Sequence, residues 1–334
     1  MKTWLIRRAL WSLFVVWVVV TAVFALMFAL GDPAVATLGA RAQQVQITAF
    51  RTKHGLDRPL YKQYLSYLGV IACERPSSPA YVPPEETSSR QGCGLLQGDL
   101  GTSLQHNESV TDVVLARLPR TVLLSLLAML VELLLGLAVG VTAASARNTW
   151  LDAGLMSVAF VGIALPSFLV GLLALDLFAF RLGWFPVGGY GTGPLEHLQH
   201  AVLPAMTLAI LGAATYARLM RSEMVETLQA AYLRAAKAKG LAPWRVLFGH
   251  AIRNAMLPIV TVAGLQIASL VSGAIITETI FAWPGMGRLA VESMNNWDPP
   301  MVLGIVVIAS LAVQAGNLLA DITVAALDPR IRHA

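Results

Sequence analysis

Four carboxyl or amide side chains stand away from the ends of the long apolar runs of this chain, where only a few kinds of chemistry explain them. They are Glu132, Gln266, Gln314 and Asn317. An ionised side chain at the centre of a bilayer costs about 3 kcal/mol on insertion scales, so such groups face protein or water rather than lipid. All four are therefore candidates for lining a polar pathway across a membrane. For Glu132 the alternative stays open that it is protonated or paired between packed helices.

Residues with known catalytic or metal-binding chemistry do not occur at the spacing that this chemistry needs. A P-loop requires a Lys directly after a Gly, and no Lys of this chain follows a Gly. The six His form no H-E-x-x-H motif, and no Ser lies in G-x-S-x-G. We therefore predict no catalytic residue, no metal site and no cofactor in the chain itself. A membrane enzyme would need a nucleophile or a metal set that the sequence does not display.

Six apolar runs supply the elements that must position these groups. The 334 residues are 56% hydrophobic and only 13% charged, whereas soluble proteins carry about 25% charged residues. A helix needs about 20 apolar residues to cross the hydrocarbon, and lipid-exposed backbone must satisfy its own hydrogen bonds. The sequence therefore predicts an all-α integral membrane protein with six transmembrane helices and excludes a soluble enzyme. The runs are approximately Ala9–Leu30, Thr121–Ala144, Gly154–Phe180, Ala201–Ala217, Met256–Ile280 and Met301–Val324.

The orientation follows from the Lys and Arg residues, which are denser in alternate connecting segments. Positive loops stay on the cytoplasmic side, so both termini are predicted to be cytoplasmic. The net charge of +5 is spread between the apolar runs rather than pooled in one folded unit, so no nucleic acid is expected as a partner. The first run is longer than a signal-peptide core, which favours a retained anchor over a cleaved signal peptide.

An outer segment, residues 31–118, lies between the first two runs. Apolar residues at helical spacing after Pro59 predict a short helix there. Cys73 and Cys93 bracket a stretch, residues 74–92, that is rich in Pro, Ser and Glu. On the oxidising side of a membrane this pair is a disulfide candidate, although two separate thiols remain the alternative.

A cytoplasmic loop, residues 218–255, carries the strongest local pattern. Helix-forming residues from Ala230 to Lys239 stop at Gly240, whose lack of a Cβ suits a left-handed helix end. A second short helix is predicted to begin near Pro243 and to continue towards Pro258. Two helices joined by a sharp turn would make a rigid knob that can seat in a groove of a soluble subunit.

A second outer stretch follows the fifth run. It predicts a short surface helix within residues 282–300, with Trp283 and Trp297 as interfacial anchors. Glu278, Asp298 and Asp321 stand near the ends of runs, where solvation is the default expectation. Pro166, Pro204 and Pro258 predict kinks.

The cytoplasmic pattern resembles the ATPase-coupling loop of permeases from the dipeptide, oligopeptide and nickel ABC importers. The resemblance rests on the run from Tyr232 to Gly240, followed by His250–Ala255 and Pro258. Five further segments resemble the family in the same order, so that the likeness spans almost the whole chain. They are Gly55–Leu60, Gly98–Ser103, Ala164–Phe168, Glu278–Gly287 and Leu327–Ile331.

This resemblance implies a type I ABC importer permease fold and a set of partners. The chain would pair with a homologous second permease above two cytosolic ATPases that bind ATP and Mg²⁺, while an extracytoplasmic solute-binding protein delivers the substrate. It implies ATPase coupling by Tyr232, Arg234, Ala235, Ala236, Lys237, Ala238, Lys239, Gly240 and Leu241. It implies an outer gate at Glu278, Trp283, Pro284 and Gly285. Arg234 stands where the broader importer loop has Glu, which departs from the family pattern.

The resemblance also implies a location and a substrate class. The location would be a bacterial or archaeal inner membrane, and the substrates dipeptides or oligopeptides. The division of the chain would be residues 1–30, an outer segment 31–118 and a permease core 119–334. The alternative function is a secondary transporter or channel subunit, for which Glu132 as the one central carboxylate is thin support.

Overall fold

The computed structural model describes residues 2–38, 42–54, 56–71 and 94–327. The predictions for Cys73, Cys93, the loop 74–92 and the terminal segment after Leu327 lie outside these residues. In the described ranges every regular element is helical, and the one β feature is an isolated antiparallel bridge between Thr102 and Ser109.

The first half of the chain begins with one long helix and then forms short ones. After the fourth helix a short 3₁₀ turn, Leu95–Gln97, precedes the fifth. The elements are α1 (Lys2–Leu30), α2 (Pro33–Leu38), α3 (Gln44–His54), α4 (Leu60–Leu68) and α5 (Val110–Ser145). The helix predicted after Pro59 is confirmed as α4, which ends at the left-handed Gly69.

The second half alternates long apolar helices with short polar ones. Its helices are α6 (Trp150–Ala164), α7 (Ser167–Ala174), α8 (Pro194–Leu228), α9 (Ala231–Ala238), α10 (Pro243–Arg245), α11 (Ile252–Gly273), α12 (Ile275–Ile280), α13 (Met286–Asn295) and α14 (Pro299–Leu327). Two π-helical stretches, Leu175–Arg181 and Val246–Ala251, extend α7 and join α10 to α11. The short helix predicted within residues 282–300 is confirmed as α13, and its position at the membrane surface stays a prediction.

Among the described residues, five helices are long and apolar enough to cross a membrane, and a bent pair makes a sixth if it crosses as one span. The five segments are Arg7–Phe28, Val110–Ser145, Pro194–Leu228, Pro243–Gly264 and Pro299–Ile322. The predicted all-α fold is therefore confirmed with five to six spans, and several helices extend well beyond the predicted apolar runs.

The third predicted span, Gly154–Phe180, is not one straight helix. It consists of α6 and the segment Ser167–Arg181, which are bent by 102° at Leu165 and Pro166. A residue before proline is driven out of the helical region by the proline ring, and Leu165 is extended with ψ 132°. The kink predicted at Pro166 is thus a complete break, whereas Pro204 and Pro258 lie inside α8 and α11.

The chain divides into two compact units. The amino-terminal unit comprises Lys2–Arg120 and Arg288–Leu311, and the core unit comprises Thr121–Gly287 with the chain from Ala312 onward. Within the amino-terminal unit, Thr21 on α1 hydrogen-bonds Tyr64 on α4. A cavity of about 510 Å³ opens beside the Asp32–Arg51 ion pair.

Asp298 belongs to this amino-terminal unit, and its predicted solvation is wrong. The carboxylate is 2% exposed and accepts hydrogen bonds from the Ser103 hydroxyl and the Leu104 N–H. Folding of the segment around Ser103 onto the start of α14 therefore supplies donors that replace water.

Candidate functional site

The knob predicted at the cytoplasmic end is built from α9 and the turn that follows it. Helix α8 ends at Leu228, and α9 begins three residues later at Ala231. Leu233 is fully buried in an apolar cluster with Met220 and Met224 of α8 and Ile259 of α11. This side chain therefore fastens α9 to the two long helices beside it.

The other described side chains of α9 and of the turn after it face outward or support the end of the helix. Arg234, Ala235, Ala238 and Lys239 are exposed, and Ala236 is half-buried. The side chain of Lys237 lies outside the described residues. Tyr232 is exposed, yet its hydroxyl accepts a 2.6 Å hydrogen bond from the Asn254 amide. Of the side chains described here, α9 and the turn after it thus combine one buried anchor, Leu233, with a basic, solvent-facing surface.

Gly240 ends α9 as the sequence predicted. Its φ is +81°, in the left-handed region that side chains with a Cβ disfavour. The Leu241 N–H donates to the Ala236 carbonyl at 3.3 Å, which closes the end of the helix. A Cβ at Gly240 would meet nothing within 4 Å. Glycine is therefore required here by backbone conformation rather than by space.

Two exposed aromatic residues extend the knob and were missed by the sequence interpretation. Trp244 in α10 and Phe248 in the π-helical stretch are both more than half exposed, and the Arg245 guanidinium lies over the Trp244 ring at 5.2 Å. Solvent-exposed aromatic side chains beside basic residues are enriched at protein interfaces. The sequence could have indicated them, because both aromatic residues stand in the same polar loop as the turn predicted at Gly240.

The segment predicted to form an outer gate is organised around the buried carboxylate of Glu278. Glu278 is 0% exposed, and its Oε1 accepts a 2.7 Å hydrogen bond from the Thr121 hydroxyl. The Thr121 oxygen in turn accepts the Met286 N–H at 2.8 Å. The predicted solvation of Glu278 is therefore wrong, because the loop after α12 folds back over it.

Two glycines make room for this carboxylate. A Cβ at Gly285 would lie 2.2 Å from Glu278 Oε1, and a Cβ at Gly287 would lie 3.0 Å from Oε2. Trp283 is also fully buried, and its ring meets Tyr190 edge to face at 4.9 Å. Its predicted role as an interfacial anchor is wrong, since it packs inside the core unit. Pro284 is half-buried between these residues.

Glu132 lies in a close helix pair inside the core unit. It is 1% exposed, and a Cβ at Gly212 on α8 would lie 2.1 Å from its carboxyl carbon. Its Oε2 has no hydrogen-bond partner among the described residues. These contacts are those of a group packed between two helices, and they favour the packing alternative for this residue over a position in the pathway.

The same face of α5 carries Gly136 and Gly140, a small-residue spacing that the sequence interpretation overlooked. A Cβ at Gly136 would lie 2.5 Å from the Tyr216 Cβ, and one at Gly140 would lie 2.6 Å from the Ala217 carbonyl oxygen. Small residues four positions apart let helix backbones approach closely in membranes. We call the contacts of Glu132, Gly136 and Gly140 with α8 the glycine seam.

The three remaining pathway candidates lie on other helices. Gln266 on α11 and both Gln314 and Asn317 on α14 are half-buried. Close packing of α11 on α14 is indicated at Gly264, where a Cβ would come within 2.9 Å of the Ala320 Cβ. Among the described residues, no group of three or more His, Cys, Asp or Glu side chains is placed to hold a metal ion.

Comparison with known proteins decides the class of this helical assembly. Residues 136–333 match the family described as binding-protein-dependent transport system inner membrane component, and residues 1–125 match the amino-terminal region of such membrane components. The chain belongs to this family. The permease is therefore a transport subunit and not an enzyme, and such a subunit works in the inner membrane with another permease and with ATPase subunits.

Curated relatives match along nearly the whole permease. It is 35% identical to the oligopeptide transport system permease protein AppB of Bacillus subtilis, over 100% of both chains. It is 38% identical to the di/tripeptide transport system permease protein DppB of Pseudomonas aeruginosa, over 91% of this chain and 90% of that one. It is 34% identical to the glutathione transport system permease protein GsiC of Salmonella choleraesuis, over 100% of both chains.

A solved structure shows the same fold. The permease aligns with a chain of the inward-facing MetNI methionine ABC transporter with a TM-score of 0.55 and 15% identity. The alignment covers 65% of this chain and 96% of that chain. The predicted type I ABC importer permease fold is thereby confirmed.

Proposed function

We propose that the permease imports short peptides, most plausibly di- and oligopeptides, through a pathway of which it forms one half. The names of two relatives support this substrate class, since they denote oligopeptide and di/tripeptide transport systems. Two measurements test it: the solutes bound by the cognate delivery protein, and ATP-dependent uptake of labelled dipeptide and tetrapeptide by the complex in proteoliposomes. Uptake of an unrelated solute, with neither peptide transported, would contradict the substrate class.

The complete importer is proposed to contain several other chains. A homologous second permease would complete the pathway, two cytosolic ABC ATPases would bind ATP and Mg²⁺, and an extracytoplasmic solute-binding protein would deliver the substrate. We propose a bacterial or archaeal cytoplasmic membrane as the location, with both termini in the cytoplasm. In this arrangement residues 31–118 form the extracytoplasmic segment and residues 119–334 the permease core, with the coupling loop at residues 218–255.

The knob is proposed to dock on an ATPase, and the observation that carries this proposal is the way α9 is mounted. Among its described side chains the buried one, Leu233, packs on the long helices α8 and α11, while Arg234 and Lys239 face solvent. If a groove of the ATPase holds the outer face of α9, movement of that groove would be transmitted through Leu233 to α8 and α11. Coupling requires that docking differ between ATPase states, because a contact equally strong in both states shifts no equilibrium.

Cross-linking tests the docking. Lys239 and Ala238 are replaced singly by Cys in a chain whose Cys73 and Cys93 are Ser, and the assembled importer is oxidised in the presence of ATPase subunits carrying Cys in their surface groove. The matched control is Met294→Cys, an exposed position on α13. We expect cross-links from Lys239→Cys and Ala238→Cys alone. Cross-links from the control alone, or labelling of residues 231–240 from outside the cell, would refute the assignment.

The remaining candidates take positioning roles in this proposal. Glu278, Trp283, Pro284 and Gly285 would hold the outer gate in shape, since their contacts are internal. Gln266, Gln314 and Asn317 are proposed to border the pathway. Glu132 would fix α5 against α8 at the edge of the pathway, because its carboxyl group lies against Gly212 of α8.

A further inference from the structure

An ion pair between α6 and α8 has no part in the roles assigned so far. The Arg221 guanidinium binds the Asp152 carboxylate with two parallel hydrogen bonds, Nε to Oδ1 and Nη2 to Oδ2, both 2.6 Å long. Bidentate pairs of this kind fix the relative orientation of two side chains more tightly than a single hydrogen bond does. The two residues therefore fix the first turn of α6 against one position on α8.

Local hydrogen bonds position Asp152 independently of Arg221. Thr149 caps α6 by accepting the Asp152 N–H, and the Asn148 N–H donates to Asp152 Oδ2 at 3.1 Å. The Asp152 side chain is only 6% exposed and that of Arg221 31%. By contrast, the Asp176–Arg181 pair of the same unit is more than half exposed on both sides. Exposed ion pairs contribute little to holding helices together, whereas a partly buried pair with additional hydrogen bonds resists separation more strongly.

The pair joins α8, which leads to the knob, to α6, which leads to the bend in the third span. Arg221 lies on α8, which continues to Leu228 and is followed at once by α9. Asp152 begins α6, whose far end is the 102° bend at Leu165 and Pro166. Because helices are stiff along their axes, a displacement of α8 at Arg221 must be taken up by α6 or by rupture of the pair.

We propose that Asp152 and Arg221 form a strut that carries the movement of the knob from α8 to α6 and so to the bend in the third span. The proposal rests on the docking of α9 to an ATPase. The two residues are positioning residues: they touch neither substrate nor nucleotide, and they make the displacement of α6 follow that of α8.

The test compares single and double variants in the assembled importer. Asp152→Asn and Arg221→Gln each leave one charge of the pair without its partner and should lower both thermal stability and peptide transport per ATP hydrolysed. The double variant D152N/R221Q removes both charges, so its stability should recover because no unpaired buried charge remains. Its transport per ATP should stay about tenfold below wild type, the size of a typical coupling between sites. Asp176→Asn and Arg181→Gln, in the exposed pair, are the matched controls and should leave both quantities unchanged.

A second measurement follows the movement itself. Environment-sensitive labels are placed at Trp150→Cys on α6 and at Ala238→Cys on α9, both exposed positions, in a chain whose Cys73 and Cys93 are Ser. ATP should change both signals in the wild-type assembly and only the α9 signal in the double variant. An α6 signal that still responds, or a double variant that regains full transport per ATP, would overturn the strut. A wild-type α9 signal that ignores ATP would instead refute the docking of the knob, and the strut with it.

Discussion

The knob and the loop proposed as the outer gate (the gate loop, residues 281–287) each contain a glycine at the centre of a family-like motif, for opposite physical reasons. Gly240 in the knob has a left-handed backbone and open space where a Cβ would stand. In the gate loop, the position of a Gly285 Cβ is already occupied by the carboxylate of Glu278. One glycine supplies conformation at a surface, and the other supplies volume in a core. The same residue type at these two positions thus predicts different responses to mutation: backbone strain at Gly240 and a steric clash at Gly285.

The largest effect is expected for Gly285→Ala. The new methyl group would force the buried Glu278 carboxylate away from Thr121, so we expect the free energy of unfolding to fall by about 3 kcal/mol, from overpacking and a lost charged hydrogen bond. Thermal unfolding of the purified complex measures it. The companion variant G285A/E278A removes the group that clashes and should be no less stable than E278A alone. A double variant that carries the full additional loss would show that the clash lies elsewhere.

The next effect is expected for Thr121→Val, which keeps the shape of the side chain and removes its hydroxyl group. Glu278 Oε1 loses this donor and the Met286 N–H loses its acceptor, at a cost of about 2 kcal/mol for buried groups. The conservative variant Thr121→Ser keeps the hydroxyl and should stay close to wild type. Equal unfolding temperatures for the Val and Ser variants would refute the role of this hydrogen bond.

A smaller loss of stability is expected for Gly240→Ala. The left-handed backbone costs about 1 kcal/mol for a residue with a Cβ, while the open space adds no clash. The matched control is Gly249→Ala, at a position that is equally open but has no positive φ. Because α9 is mounted on the turn, we expect G240A to reduce stimulation of the ATPase by substrate as well. An identical result for the two Ala variants would contradict the conformational explanation.

Arg234→Ala should change stability least, because its side chain is exposed. Substitutions at such surface positions usually stay within about 0.5 kcal/mol. If the basic face of α9 meets an acidic groove, transport by R234A should fall below wild type at low salt, and the gap should narrow at high salt, where the wild-type contact is screened as well. Transport measured at two ionic strengths, with Arg234→Lys as the charge-preserving control, decides the point.

Local pattern was enough to predict the helices and the end of the knob. The spans follow from apolar length, and α9 and its stop at Gly240 follow from helix propensity and the need for a residue without a Cβ. Each of these features depends on neighbours only a few positions away in the chain. The third span shows the limit, since Pro166 indicated a kink but not how far the two halves diverge.

Burial that depends on distant residues could not be read from the sequence. Glu278 and Trp283 stand near the end of an apolar run, where water is the ordinary neighbour. They are buried because Thr121, 157 positions earlier, donates to the carboxylate and Tyr190 covers the indole ring. The glycine spacing at Gly136 and Gly140 was visible in the sequence, but its partner helix was not.

The glycine seam has a consequence for how this transporter lineage can change. Glu132, Gly136 and Gly140 face Gly212, Tyr216 and Met220, each partner 80 residues further along the chain. The parallel helices α5 and α8 therefore share a fixed volume at each of these three facing pairs. A larger side chain at one residue of a pair requires a smaller one at its partner. Aligned relatives should therefore show paired, compensating substitutions at these positions.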